Sequence, residues 1–280
     1  MANWRVYLHN IRQFSRFFRS AKTLHQVDSP FVCHFIREVM EDRRMFYVFP
    51  IVKAIREDLK QNHSPLANND YGAPAKSMSG TRTIADIAKH TAIGPRIGQY
   101  LFKIIHTYKP EIMLELGTAV GISTIYQAAA ALGGDLISIE GNPALVQVAE
   151  AEITQLGLPN ISLINGKFSE VLPELLDELP QVDYVFLDGH HDKAARLEYF
   201  EMLLPKLTEN SILVFSDIYW SKGMQEAWEI LIKHPKVRLS IDLFDIGILF
   251  FNPAILEKQN FKLVPIRWKP WRLGLFRFYS

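Results

Sequence analysis

The sequence predicts an α/β fold of the Rossmann-like, three-layer type, in which helices cover both faces of a seven-stranded, mostly parallel sheet. From residue 111 onward, short apolar runs alternate with stretches of helical periodicity, which is typical of parallel strands joined by right-handed helical crossovers. The last two apolar runs are separated by only a very short turn, which predicts a C-terminal antiparallel hairpin. A helical N-terminal extension is predicted before the sheet.

The segment before the sheet is predicted to contain several helices and one long loop. Residues 1 to about 62 carry aromatic and aliphatic side chains near helical spacing, and Asp28-Ser29-Pro30 is a helix-start signal. Gly, Pro, Ser and Asn dominate residues 63–81, which predicts a loop that serves as a linker or a lid. Two further helices, Thr83–His90 and Gly94–Tyr108, lead into the first strand.

Five apolar runs are interpreted as parallel strands, and two more as the hairpin. The parallel strands are predicted at Ile112–Gly117, Leu136–Glu140, Ile161–Asn165, Val182–Asp188 and Ile212–Asp217. The intervening helices are predicted near Ile122–Leu132, Pro143–Leu156, Glu170–Glu178, Lys193–Leu207 and Lys222–His234. The hairpin strands are Val237–Phe244 and Gly247–Phe251. We therefore divide the chain into a helical extension with its loop or lid (1–80), the sheet domain (81–253) and a basic, aromatic C-terminal tail (254–280).

Composition and charge argue against several classes of protein. The 280 residues carry a formal net charge of +1, so a nucleic-acid-binding protein is not expected. The tail holds six Lys or Arg against one Glu, which we interpret as a solvated surface rather than a membrane-binding patch. The single cysteine, Cys33, suits a reducing compartment, and no stretch is apolar for long enough to span a membrane. We expect a cytoplasmic protein.

A glycine turn follows the first predicted strand, in the run Glu115-Leu116-Gly117-Thr118-Ala119-Val120-Gly121-Ile122-Ser123. In a parallel α/β sheet, this corner is where a nucleotide-like ligand binds. Glycine at 117 and 121 lets the backbone approach the ligand closely, and the start of the next helix offers N–H groups to an anion. The alternative is an ordinary glycine turn without a ligand.

An acidic residue, Glu140, ends the second predicted strand about 20 residues beyond the glycines, where a carboxylate can accept hydrogen bonds from both hydroxyls of a ribose. Enzymes that bind NAD use the same arrangement. Glu140 therefore predicts a ribose without identifying the cofactor.

Two later motifs complete a pattern that resembles the class I S-adenosylmethionine-dependent methyltransferases, and more narrowly the small-molecule O-methyltransferases of the catechol O-methyltransferase type. They are Asn165-Gly166-Lys167-Phe168-Ser169-Glu170, and Phe186-Leu187-Asp188 followed by Gly189-His190-His191. The resemblance covers residues 94–217 and extends to Phe251 by topology.

The resemblance implies that S-adenosylmethionine is the cofactor. It implies cofactor contacts for Glu115, Gly117, Thr118, Gly121 and Ser123 near the methionine end, for Glu140 and Gly141 at the ribose, for Gly166, Phe168 and Ser169 near the adenine, and for Asp188. The aromatic ring of Phe168 either stacks on the adenine or is part of the core.

The resemblance also places the catalytic residues at the corner after the fourth strand. Asp188 lies next to cofactor and acceptor, and the general base is expected three positions on, at His191, with His190 as the neighbouring alternative. A neutral imidazole, with an ordinary pKa of about 6.5, can accept a hydroxyl proton at pH 7. The alternative is a pair of surface histidines at a helix start.

One position departs from the family pattern. Metal-dependent relatives carry Asp-Asn after the fifth strand, whereas this chain carries Asp217-Ile218. Isoleucine has no ligand atom, and Mg²⁺ prefers about six oxygen ligands. We therefore expect no required divalent metal; if one binds, its ligands are Asp188 and Asp217.

The sequence thus predicts in-line methyl transfer to a small hydroxylated molecule. Tyr219 and Trp220 either form an aromatic wall for that acceptor or cap the sheet. One alternative is a non-catalytic S-adenosylmethionine-binding or scaffold protein. An NAD-dependent oxidoreductase is another, but no second glycine follows two residues after Gly117. The N-terminal helices could also form a homodimer, a lid or a partner surface.

Overall fold

The computed structural model describes residues 4–66 and 82–272, and within these ranges the strands form one mixed sheet. Eight strands lie in the order β3-β2-β1-β4-β5-β7-β6-β8. They are β1 Ile112–Leu116, β2 Asp135–Glu140, β3 Ile161–Asn165, β4 Val182–Leu187, β5 Leu207–Ser216, β6 Leu239–Asp242, β7 Ile246–Phe250 and β8 Gln259–Lys262. Strands β1 to β5 are parallel, and β7 runs antiparallel to both β5 and β6. The predicted parallel sheet and C-terminal hairpin are confirmed.

The eighth strand is a correction to the predicted seven. Strand β8 pairs in parallel with β6 at the edge of the sheet, within the segment that the sequence analysis assigns to a tail. Its four residues, Gln-Asn-Phe-Lys, alternate between half-buried and exposed. A short polar edge strand has no apolar run to reveal it, since an edge strand packs few of its side chains.

The helices cover both faces of the sheet. They are α1 Trp4–Ser20, α2 Pro30–Phe35, α3 Val48–Leu59, α4 Ile84–His90, α5 Pro95–Tyr108, α6 Ile122–Ala130, α7 Pro143–Leu156, α8 Phe168–Glu178, α9 Lys193–Leu203 and α10 Lys222–Leu231. A π-helical turn, Ile36–Met40, extends α2. Among the described residues, no helix combines the length and the apolarity that crossing a bilayer requires.

Successive residues of each central strand face opposite sides of the sheet, as strand geometry requires. Leu114 and Leu116 of β1 belong to one buried cluster, while Met113 belongs to the cluster on the other face. The same alternation separates Val185 from Phe186 in β4. Because both faces are apolar, helices must cover both, which gives the three layers.

The N-terminal segment packs on this sheet. Phe17 of α1 is buried in one core cluster, and Val32, Phe35 and Ile36 are buried in the other. The backbone N–H of Lys22 donates to the carbonyl oxygen of Lys262, the last residue of β8, and its carbonyl oxygen accepts from the N–H of Val264. The predicted loop at 63–81 lies largely outside the described residues, since 67–81 are not described.

Candidate functional site

The turn between β1 and α6 requires glycine at two positions. Gly117 has φ of +111°, and a Cβ there would lie 2.6 Å from the carbonyl oxygen of Asp188. Gly121 has φ of +80°, and a Cβ there would lie 3.1 Å from the Cβ of Ala149. Both backbone conformations are ones that side chains rarely adopt. Gly117 thus lets the glycine turn touch the corner that follows β4.

Glu115 supports this turn from inside the protein. Its side chain is fully buried, and it accepts hydrogen bonds from Thr124, from Gln127 at 2.6 Å and from Ser138 at 2.6 Å. Burial raises the pKa of Glu115, while these donors and Ser123 oppose that shift. Glu115 therefore fixes the start of α6 against β1 and β2, instead of lining an open cleft.

The other two residues predicted near the methionine end are also buried. The hydroxyl groups of Thr118 and Ser138 lie 2.5 Å apart, and Ser123 is buried at the start of α6. Both positions therefore belong to the Glu115 network. Their side chains shape the turn, and the backbone of the turn is the part that is available to a ligand.

Glu140 lies where β2 ends and joins two turns. Its carboxylate accepts a hydrogen bond from the backbone N–H of Ala119 at 2.8 Å and another from Asn142 at 2.9 Å. The side chain of Asn165 donates to the carbonyl oxygen of Glu140 at 2.8 Å, which brings in the turn after β3. Glu140 and Gly141, both half-buried, thus lie at the same edge of the sheet as the glycine turn.

The turn after β3 faces the corner after β4. The half-buried ring of Phe168 contacts the ring of Tyr199 edge-on, with centroids 5.9 Å apart. A Cβ on Gly189 would lie 2.5 Å from that ring, and a Cβ on Gly166 would lie 2.5 Å from Val171. Phe168 therefore packs between α9 and the corner with part of its surface exposed, while Ser169 is exposed.

The corner after β4 brings together one of the two histidines and both aspartates. The Nε2 atom of His191 lies 3.7 Å from Oδ2 of Asp217, and ligand atoms of Asp188, His191 and Asp217 all lie within 4.8 Å of one another. His190 turns away, with φ of +54°, and its Nδ1 lies 2.8 Å from the hydroxyl of Tyr199. The structure thus places His191, and not His190, against the carboxylates.

Burial and charge shift the proton affinities of this cluster. Burial, and then the neighbouring Asp217, raise the pKa of Asp188 to about 8. Burial raises the pKa of Asp217 to about 6, against the opposing effect of Arg196. Burial, with the positive charge of Arg196, lowers the pKa of His191 to about 4. His191 is therefore neutral at pH 7, so one ring nitrogen carries a free lone pair, but its proton affinity is lower than that of an ordinary imidazole.

Arg196 is a component of the corner that the sequence analysis missed. Its side chain is 2% exposed, and its Nη1 donates to the carbonyl oxygen of Leu187 at 2.7 Å. Burial lowers its pKa to about 10, which leaves it charged at pH 7. A sequence signal existed, because Arg196, Tyr199, Phe200 and Leu203 fall at the i, i+3, i+4, i+7 spacing of a buried helix face.

The two aromatic residues after β5 differ in position. Trp220 is 61% exposed, and its ring centroid lies 6.1 Å from that of His191. Tyr219 is buried; its hydroxyl donates to Asp242 at 2.6 Å, and its ring stacks on Phe244. Of the two, only Trp220 presents an exposed ring beside His191, while Tyr219 packs at the end of the sheet.

The residues of the corner do not match the ligand set that Mg²⁺ prefers. Two carboxylates and an imidazole could face one ion, but the neighbouring Ile218 is buried and has no ligand atom. Mg²⁺ favours an octahedral array of oxygens. In addition, the buried guanidinium of Arg196 acts electrostatically on both carboxylates.

Residues 114–218 match a family model described as a methyltransferase domain. The chain is 31% identical over 144 residues to a catechol O-methyltransferase of Niastella koreensis, covering 50% of this chain and 64% of that protein. It is 28% identical over 105 residues to the Bos taurus catechol O-methyltransferase, covering 36% of this chain and 39% of that protein. The chain thus spans less than two thirds of the length of these curated relatives.

Comparison of the fold with solved structures agrees with the comparison of sequences. An O-methyltransferase from Bacillus cereus, solved in complex with SAH, superposes with a TM-score of 0.53 at 18% identity, covering 78% of this chain and 96% of that one. A putative O-methyltransferase from Klebsiella pneumoniae superposes with a TM-score of 0.54 at 18% identity, covering 78% of this chain and 94% of that one. These superpositions confirm the predicted fold. The predicted resemblance to O-methyltransferases of the catechol type is confirmed by the matches in sequence.

Proposed function

We propose that this chain, whose residues 114–218 match a methyltransferase domain, transfers a methyl group from S-adenosylmethionine to a hydroxyl group of a small molecule. The observation that carries the proposal is the contact between the glycine turn and the corner after β4. A Cβ on Gly117 would lie 2.6 Å from the carbonyl oxygen of Asp188. A ligand held by the backbone of that turn is therefore next to Asp188, beside the proposed base.

The cofactor is proposed to bind along the edge where β1, β2 and β3 end. The N–H groups at the start of α6 would face the methionine carboxylate, because a helix N-terminus favours an anion. Glu140 would accept hydrogen bonds from the ribose hydroxyls, with Gly141 beside it. Gly166, Phe168 and Ser169 would border the adenine. Glu115, Thr118 and Ser123 contribute by positioning the turn.

The reaction is an in-line displacement. Bound S-adenosylmethionine would supply the methyl group: the acceptor oxygen would bond to the methyl carbon while the carbon–sulfur bond breaks with its electron pair going to sulfur, which would release S-adenosylhomocysteine. The acceptor proton goes to Nε2 of His191, and Asp217, 3.7 Å away, balances the imidazolium that forms. The largest contribution of the protein is to hold oxygen, carbon and sulfur in line.

Trp220 is proposed to form one wall of the acceptor site, because its exposed ring lies beside His191. A flat aromatic surface favours acceptors that are themselves planar and partly apolar. The near-neutral net charge of +1 supports a small molecule over a nucleic acid. The cytoplasmic location and the homodimer through the N-terminal helices stay predictions from the sequence.

Replacing the base tests the mechanism. In His191→Ala, we expect turnover to fall by about 10²- to 10⁴-fold, which is the usual contribution of a general base. The affinity for S-adenosylhomocysteine, measured by calorimetry, should change little, because the imidazole acts on the acceptor. Any hydroxylated acceptor that wild type methylates serves for the rate measurement.

His190→Ala is the matched control, because it removes an adjacent imidazole that contacts Tyr199 instead of the carboxylates. Its turnover should stay within a few-fold of wild type. Equal losses in both variants would contradict the assignment of the base. A wild-type protein that binds S-adenosylhomocysteine but methylates nothing would favour the scaffold alternative.

A further inference from the structure

Arg196, the buried cation next to the corner after β4, is placed where it can fix the end of that strand. Nη1 of Arg196 donates to the carbonyl oxygen of Leu187 at 2.7 Å, and the hydroxyl of Ser216 donates to the same oxygen at 3.1 Å. Leu187 directly precedes Asp188, and Ser216 directly precedes Asp217. One carbonyl therefore ties α9 to the ends of β4 and β5, just below the two aspartates.

Most of the guanidinium has no hydrogen-bond partner. Among the described residues, the buried Nε and Nη2 atoms of Arg196 find none, and the guanidinium carbon lies 5.6 Å from the centroid of the Phe215 ring. A buried charge is costly unless other charges or hydrogen bonds compensate it. The compensating charge is the carboxylate of Asp217, to which Asp188 adds where it is ionised; both groups act electrostatically on Arg196.

Two other buried cations among the described residues, Arg56 and Lys103, donate hydrogen bonds to backbone carbonyl oxygens. Arg56 donates to the carbonyl oxygens of Ala88 and Ile93, and Lys103 donates to that of Asp42. Arg56 belongs to α3, and the two carbonyl oxygens that it contacts lie in α4 and in the turn that follows α4. Arg196 therefore differs from these two cations, because a pair of aspartates, Asp188 and Asp217, acts electrostatically on it.

We propose that Arg196 is the resident cation of this corner: it positions Asp188 and Asp217 and takes the electrostatic role of a bound divalent cation, so that methyl transfer needs no metal ion. The proposal rests on the proposed function for its reference to methyl transfer. A divalent cation bound by Asp188, His191 and Asp217 would lie close to this positive charge, and repulsion between the two would weaken its binding. Ile218 removes a further ligand.

Binding of Mn²⁺, followed by electron paramagnetic resonance, tests the exclusion of metal without any assay of activity. In Arg196→Met, which keeps an apolar side chain of similar length, we expect Mn²⁺ to bind at least about tenfold more tightly than in wild type. Arg196→Lys, which keeps the charge, should resemble wild type. Adding Asp217→Asn to Arg196→Met should remove the acquired affinity, which would locate the ion at the corner.

Arg56→Met is the matched control, because it removes another buried guanidinium that donates to backbone carbonyls. It should leave the affinity for Mn²⁺ at the wild-type value. Tight, micromolar binding of Mn²⁺ to wild type that Asp217→Asn abolishes would overturn the proposal. So would an Arg196→Met variant that binds S-adenosylhomocysteine but gains no affinity for Mn²⁺.

If Arg196→Met does not fold, Arg196→Lys and wild type still decide the question. Lysine keeps the charge but loses the fork that reaches Leu187, so kcat should fall at least about fivefold with KM for the cofactor unchanged. Wild type treated with EDTA should keep its full rate, and loss of that rate would overturn the proposal. Failure of the proposed function is a separate result, because the Mn²⁺ spectra do not depend on turnover.

Discussion

At the scale of single residues, the carboxyl group of Asp188 makes stability depend on pH. Burial and the neighbouring Asp217 raise its pKa from an ordinary 3.8 to about 8 in the folded state. Between these two values the folded chain binds more protons than the unfolded chain, so the stability that this group contributes is present below pH 4 and is lost as the pH rises toward 8. The pKa of Asp217, raised to about 6, adds a loss of the same sign.

We therefore predict that the difference in stability between Asp188→Asn and wild type changes with pH. The free energy of unfolding of Asp188→Asn, relative to wild type, should become more favourable by about 1–2 kcal/mol between pH 4 and pH 8, because the amide cannot ionise. Urea denaturation at both pH values measures the difference. A difference that is constant with pH, or that moves the other way, would contradict the raised pKa.

The sequence does not decide between the two adjacent histidines as the general base. Both His190 and His191 were candidates, because both follow the same strand. The positive φ of His190 turns its ring toward Tyr199. That φ is set by the backbone conformation of the turn after β4, which the sequence does not show. Arg196 escaped notice because a charged residue in a helix is normally solvated, although its spacing matched the buried face.

At the scale of elements, the glycine turn connects two strands that are remote in sequence. Gly117→Ala should lower the free energy of unfolding by more than about 1 kcal/mol, since alanine is strained at φ of +111° and its Cβ would collide with Asp188. The turn would have to move away from the corner. We therefore also expect the affinity for S-adenosylhomocysteine to fall at least about tenfold, as measured by calorimetry.

Gly133→Ala provides the control for this substitution. A Cβ at Gly133 meets no atom within 4 Å, and its backbone does not have a positive φ. Stability should change by no more than about 0.5 kcal/mol, and the affinity for S-adenosylhomocysteine should stay at the wild-type value. If Gly117→Ala behaves as Gly133→Ala does, the close approach of the turn to the corner is not required for binding.

Most of the helices and strands could be predicted from the sequence because their apolar residues recur with a clear helical or strand pattern. The five parallel strands are nearly continuous apolar runs, as expected for strands covered on both faces. The boundary of β5 was less clear, because this strand begins at Leu207 with a polar stretch before its apolar part. Strand β8 has no apolar run, and its pairing with β6 depends on the fold that precedes it.

At the scale of the whole molecule, the two ends of the chain help to complete the sheet domain. Phe17 of α1 packs near Tyr219 and Phe244, and the backbone of Lys22 bonds to that of Lys262 and Val264. The apolar stripes of the N-terminal helices were evident from the sequence, but periodicity does not show which surface a stripe covers. The contacts observed are with the sheet and with the C-terminal segment.

The site as a whole follows from this topology. Strands β1, β2, β4 and β5 are parallel, so their carboxyl ends meet at one edge and bring Gly117, Glu140, Asp188 and Asp217 together. This grouping was predictable from the order of elements. The burial of His191 and Arg196 was not predictable, because it depends on the packing of α9 against the ends of β4 and β5.

Calorimetric titration of the wild-type chain with S-adenosylhomocysteine, and in parallel with NAD⁺, tests most directly the central claim that this edge of the sheet holds S-adenosylmethionine. We predict saturable binding of S-adenosylhomocysteine at a single site and no heat of binding with NAD⁺. Binding of NAD⁺ without binding of S-adenosylhomocysteine would contradict the account.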